Sequence, residues 1–156
     1  MGLKKGTFVV AQTFSVLDPY DSASKNIIEL SNDGDFAIVA TVDVCVKNPQ
    51  RTQVSLDSMA QIAVRATDST FEVTYEILRN GIVIATINDE MDFVPASFMG
   101  QNGRHTNFPN FPLLLDNYPS AGINKYELRV TRVLTSEIED EIFVASRSLK
   151  ATVFTS

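Results

Sequence analysis

The sequence predicts an all-β fold, an antiparallel β-sandwich of the jelly-roll kind, and three observations predict it. Apolar and polar residues alternate with period two over most of the chain, an Asn-Gly pair joins two such runs, and no segment carries a convincing helical stripe. Roughly eight short runs separated by turn residues suit two packed antiparallel sheets.

The elements follow in order. From Gly6 to Leu17 there is no charged residue. Phe8, Val10, Phe14 and Val16 share one face of a strand over 6–16, with Gln12 as the polar interruption. Asp18-Pro19-Tyr20-Asp21 and Ser22-Ala23-Ser24 then turn the chain. Two readings of this segment stay open. It is the first strand of the sandwich, or residues 1–20 form an arm, hinged at 18–25, that adds a strand to the sheet of the next subunit and leaves 21–156 as one jelly-roll domain. A charge-free, edge-seeking strand is a hazard in a monomer and a joint in an assembly.

A strand is expected at 26–31. In the next run Phe36, Ile38, Ala40, Val42, Val44 and Val46 form a wholly apolar face expected to meet the core. Val39, Thr41 and Cys45 lie on the opposite face and are candidates for receiving a neighbour. Asn48-Pro49 ends the run, since proline cannot extend a ladder. A further strand is expected at 60–66.

Phe71, Val73, Tyr75 and Ile77 alternate with polar residues up to Asn80-Gly81, whose tolerance of positive φ fits a two-residue type I′ turn. The return strand begins at Ile82, and the turn sets Arg79 opposite Ile82, Ile77 opposite Ile84 and Tyr75 opposite Thr86. Residues 95–123, with four prolines and three glycines, read as one long loop carrying Phe98, Phe108, Phe111 and Tyr118. The aromatic side chains fold back over one end of the sandwich, or they read a ligand or a neighbouring subunit. In LLDNYPSAGINKYELRV (residues 114–130) the turn residues return the chain to a strand over 124–134 with Tyr126, Leu128 and Val130 inward. Arg132 falls on that same face, so a bend or end is expected there. The last strands cover 141–154, and a parity switch near Ala145–Ser148 implies a bulge or a break.

Composition narrows the function. The chain has 156 residues, which favours one domain able to bury a core without metal or disulfide. Its 13 basic residues are scattered and outnumbered by 19 acidic ones, for a net charge of −6. That balance argues against nucleic acid as a partner, because phosphate binding needs clustered cations. No apolar run approaches the ~18 residues of a membrane helix, so no membrane partner is expected. The lone Cys45 can form no disulfide within the chain. Lys4 and Lys5 precede a stretch with polar residues and no clean cleavage site, so no cleaved signal peptide is expected, and the chain either stays in the cytosol or leaves by a route without one, such as release by lysis.

Chemistry is sparse. The one histidine, His105, has no nucleophile motif around it, so no catalytic residue is assigned and no enzyme is expected. Asp33 and Asp35, or Asp89, Glu90 and Asp92, could offer oxygens to calcium, but neither group fits a loop motif. Glu137, Glu139, Asp140 and Glu141 read as a solvated turn. No cofactor and no metal are expected.

DNYPSAGINKYELRV (116–130), FEVTYEILRNGIVIATI (71–87) and SRSLKATVF (146–154) resemble stretches of bacterial and phage jelly-roll structural proteins of the TNF/C1q-like kind. Among these the chain is similar to the exosporium and endospore-appendage proteins of Bacillus, including exosporium protein C. The resemblance implies a self-assembling subunit of a spore-surface layer or fibre, with copies of itself and other spore-surface proteins as partners. Best-known appendage subunits carry N-terminal cysteines and this chain has none, so any link would be strand pairing or Cys45. The expected assembly residues are therefore Phe8, Val10, Phe14, Val16 and Cys45, and the expected loop contacts are Phe98, His105, Phe108 and Phe111. The competing expectations are a carbohydrate- or host-surface-binding module using the 95–123 loop, and a phage tail or capsid protein.

Overall fold

The computed structural model describes residues 6–66, 70–92, 103–135 and 140–156. Among these residues ten strands form two antiparallel sheets: β1 (Thr7–Phe14), β2 (Ile28–Leu30), β3 (Phe36–Val46), β4 (Thr52–Ala66), β5 (Thr70–Arg79), β6 (Ile82–Asp92), β7 (Gly103–Asn107), β8 (Asn110–Asp116), β9 (Gly122–Thr135) and β10 (Glu141–Thr155). The first sheet has the order β1-β10-β4-β7, with β2 also on β10 and β8 also on β4. The second has the order β3-β9-β5-β6. Strands β1 and β2 lie end to end on one edge of β10, and β7 and β8 lie end to end on one edge of β4. Counted as interrupted single strands, they give two four-stranded sheets between which the chain repeatedly crosses. This is the jelly roll the alternation predicts.

The inward faces meet in one core, with Val54, Leu56, Ile62, Tyr75, Leu128 and Leu149 among its fully buried members. Strand β4 is longer than expected because Ser58 interrupts its inward apolar series. Ser58 is buried and accepts the Tyr75 hydroxyl at 2.6 Å, so the polar break is satisfied inside the core.

Asn80 and Gly81 have φ of 51° and 80°, the type I′ geometry expected. The register beyond the turn differs. Arg79 faces Ile82, but a shift after Leu78 sets Ile77 against Ala85 and Tyr75 against Ile87. One extra residue in β6 absorbs the shift, as a bulge does.

A bulge likewise corrects the reading of β3. The register against β9 slips between Ile38 and Ala40, so Val39 and Ala40 are both buried. Ahead of the slip the faces are exchanged, which leaves Phe36 at 64% and Ile38 at 40% exposure. Val39 therefore belongs to the core and offers no contact face.

The segment 95–123 is not a single loop. It supplies β7 and β8 on the outer edge of β4, where Pro112 is tolerated because one side of the strand faces no partner. Phe98 lies outside the described residues. The bulge expected in the last strand is present between Val144 and Arg147. Strand β9 runs on to Thr135, but its register against β5 slips between Arg132 and Leu134, the irregularity expected at Arg132.

Two buried arginines sit at the irregular points of β3, β9 and β10. Arg147 donates to the Val39 carbonyl at 2.7 Å, in the bulge of the opposite sheet. It also donates to the carbonyls of Asn26 at 2.5 Å and of Ala145 at 3.0 Å, and its guanidinium lies 4.3 Å from the Phe14 ring centroid. One cation thus satisfies carbonyls in both bulges and seats the end of β1. Arg132 donates to the carbonyls of Leu30 and Asp140, to Thr135 Oγ1 and to Asp33 Oδ1, all within 2.9 Å. Desolvation raises the Asp33 pKa, but hydrogen bonds from Arg132 and Thr135 and the Arg132 charge outweigh it and hold the carboxyl below its usual value.

Replacing Arg147 by leucine should lower unfolding free energy by about 3 kcal/mol, because buried carbonyls left without a donor cost about 1–3 kcal/mol each. Urea denaturation measures it, with Lys150→Ala at an exposed position expected to change stability by less than about 0.5 kcal/mol. A loss under about 1 kcal/mol for Arg147→Leu would refute the role assigned to the guanidinium.

Candidate functional site

The free edges of the sheets differ in a way that bears on association. β3 carries a bulge and Asp43, β6 a bulge with Asp89 and Glu90, β7 Arg104, and β8 both Pro112 and a register shift. Charges, prolines and bulges are the devices by which β-proteins block edge-to-edge pairing. β1, TFVVAQTF, has none of them, and its eight residues pair with β10 without a slip.

The register tells which of its backbone groups are free. Gly6 and Thr155 form a hydrogen-bonded pair, with the Thr155 N–H on the Gly6 carbonyl at 3.1 Å. In an antiparallel ladder, hydrogen-bonded and non-bonded pairs alternate. Even-numbered Phe8, Val10, Gln12 and Phe14 therefore bond to β10. Odd-numbered Thr7, Val9, Ala11 and Thr13 turn their N–H and C=O groups to the outer edge. Their side chains are exposed on the outer face, Val9 by 55%.

The expected assembly residues are thus placed in one strand. Phe8 is partly exposed, Val10 packs on the core, Phe14 lies against Arg147, and Val16 is buried with its N–H on Ser146 Oγ. Within the single chain, β1 sits on its own β10. Gln12 turns inward, and its Oε1 accepts the Thr41 N–H from the edge of β3 at 2.9 Å, which accounts for the polar residue in that face.

Cys45 is an exposed free thiol near the chain end of the sandwich. It lines a depression of about 560 Å³ with Phe8, Lys47 and Arg51. Beside it, sharing Arg51 and Thr52, lies an open groove of about 1050 Å³ between the start of β1, the short 3-10 turn Pro49–Arg51, the β8–β9 turn and the end of β10. Tyr118 stands in this groove at 83% exposure, with Gln50, Gln53, Asn117 and Phe154 around it.

The turn that carries Tyr118 is fixed from below. Buried Asp116 accepts Arg79 Nη1 at 2.5 Å, the Tyr126 hydroxyl at 2.6 Å and the Tyr118 N–H at 3.2 Å. Buried Asn124 accepts the Ser120 N–H and hydroxyl and the Asn80 amide, and donates to the Ser120 carbonyl at 2.7 Å. Gln53 Nε2 donates to Asn117 Oδ1 at 2.6 Å.

The other expected contacts are not gathered here. His105 lies on β7, with Nε2 2.5 Å from Asn107 Oδ1 and its ring 6.0 Å from that of Phe71. Phe111 packs inward, 5.9 Å from the Tyr75 ring, and Phe108 is exposed. Asp33 and Asp35 are engaged by Arg132 and Asn32, and Asp89 by Asn107. Among the described residues no three His, Cys, Asp or Glu side chains gather closely enough to hold a metal. No helix among them is long and apolar enough to cross a membrane. Sequence reasoning noted Tyr118 but missed Gln50 and Gln53, because the groove draws on segments far apart in the chain.

No protein-family model matches the chain, and no curated protein matches it in sequence. Among solved structures it is similar to dimeric latent PorU from Porphyromonas gingivalis, at 12% identity and a TM-score of 0.50 over 98% of this chain. It also aligns with the structure of the infectious bursal disease virus Gx strain, at 12% identity and a TM-score of 0.44 over 94% of the chain. A third alignment is with the VP2 subviral particle of that virus, at 13% identity and a TM-score of 0.46. The chain spans 13% of the PorU chain and 32% of each viral chain. The PorU likeness concerns the fold alone, and folds of this kind serve unrelated functions. The viral likenesses add nothing to it.

Burial raises the pKa of Tyr75 and Tyr126, and for Tyr126 the hydrogen bond to Asp116 and the Asp116 charge raise it further. The unfolded tyrosines ionise near pH ~10. Above that pH the unfolded chain holds fewer protons than the folded one, so stability is full below it and falls as pH rises. Urea titrations between pH 7 and 11 should show that decline, flattened in Tyr75→Phe and Tyr126→Phe. An equally steep decline in the double variant would refute it.

Proposed function

We propose that this chain is a structural subunit that assembles with copies of itself by strand addition along the outer edge of β1. The observation that carries the reading is that β1 alone among these edges has no charge, proline or bulge. A second β1 laid antiparallel across a twofold axis would pair with the outward groups of Thr7, Val9, Ala11 and Thr13 and join two first sheets into one. Such a joint is self-complementary, as twofold contacts are.

A fibre or layer needs a second contact, and the outer face of the first sheet supports one. Val9, Leu113, Leu115 and Phe154 are exposed, and Lys150 and Asp57 are paired at 3.6 Å. Strand addition here uses the edge of a β1 seated in its own sheet, in place of a freely swinging arm. A spore-surface layer or extracellular fibre, with other surface proteins as further partners, is the setting that the resemblance suggests. The reading assigns the chain no catalytic step.

Ala11→Pro removes an outward N–H and leaves the β10 ladder intact, because proline is tolerated where its nitrogen faces away from the sheet. Val9→Lys places a charge beside the edge. Light scattering and negative-stain microscopy should show concentration-dependent assemblies of the wild type and folded monomers of both variants. A wild type that stays monomeric at every concentration, or variants that assemble equally well, would overturn the reading.

A further inference from the structure

The geometry points to a saccharide-binding site in the groove around Tyr118, which meets the β1 edge at Thr7. Three features converge. First, Tyr118 projects into water from a turn whose backbone Asp116 and Asn124 fix from below. A turn already fixed loses little backbone freedom when a ligand covers it. Second, the Gln53–Asn117 bond uses one end of each amide. That bond leaves Gln53 Oε1 as an acceptor and Asn117 Nδ2 as a donor on two side chains that line the groove. Two neighbouring hydroxyls of a pyranose, one donating and one accepting, match that pair.

Third, the lining favours a polar, largely uncharged ligand. Gln50, Gln53, Asn117 and Thr7 offer amide and hydroxyl groups, and Arg51 is the lysine- or arginine-type charge among the lining side chains. An apolar helix would need a continuous hydrophobic trough. A sugar ring presents C–H faces to an aromatic side chain and hydroxyl edges to amides, which is the division this groove makes. Arg51 would accommodate one acidic substituent at the rim.

An array of neutral and acidic oligosaccharides, probed with the purified chain, tests the proposal. The wild type should retain at least one pyranoside class. Tyr118→Ala, at an exposed position, should fold normally and bind that glycan at least tenfold more weakly, Tyr118→Phe should stay within threefold, and Asn117→Ala should also lose affinity. Ala11→Pro should bind as the wild type does, so that loss of assembly and loss of binding are read separately. Retention of no glycan by the wild type, or equal retention by Tyr118→Ala, would overturn the proposal.

Discussion

The Arg147 guanidinium is the interaction on which the rest of the sandwich depends. It answers the carbonyls of Val39, Asn26 and Ala145, so the two sheets are pinned where each has slipped by a residue. A buried cation is costly unless its donors are met, and here backbone oxygens meet them. The same group lies against Phe14 and seats the end of β1. The strand whose outer edge is left unguarded is therefore firmly placed on its inner side. Arg132 does comparable work near the other end of the sandwich, tying β9 to the segment before β3 and to the start of β10.

This arrangement separates the molecule into parts with different tasks. The inner faces are a closed hydrophobic core. The second sheet carries the Arg129–Glu76 ion pair on its outer face at 3.0 Å, and the first carries Lys150–Asp57 and Arg65–Glu141 between β4 and β10. The β1 edge has no such charges. The end where β1 begins and β10 finishes carries a polar groove with an aromatic rim. The edge and the groove meet at Thr7, and Phe154 lines the groove from the outer face of the first sheet.

Much of the fold was legible in the sequence where one rule acted alone. Strict alternation located β5 and β9, and Asn80-Gly81 located the turn between β5 and β6. The parity change near Ala145 revealed the β10 bulge. The bulge at Val39 left no such trace, because Phe36, Ile38 and Ala40 are all apolar and a slip among apolar residues changes no visible pattern. Its partner Arg147 is 108 residues away. β7 and β8 were hidden by Pro109, Pro112 and Gly103, which signal a loop unless the strand is known to lie at an edge. The candidate groove was less legible still, since Thr7, Gln53, Tyr118 and Phe154 meet only through the pairing of β1, β10, β4 and β8, strands far apart in sequence.

On the proposed assembly, the outer edge of β1 is filled by another copy of the chain. Residue-resolved amide hydrogen exchange at low and high protein concentration tests it most directly. Even-numbered amides of β1 should be protected at both concentrations by the ladder to β10. The amides of Thr7, Val9, Ala11 and Thr13 should exchange rapidly in dilute solution and become protected as the chain assembles. Rapid exchange at those four positions in fully assembled material would contradict the account.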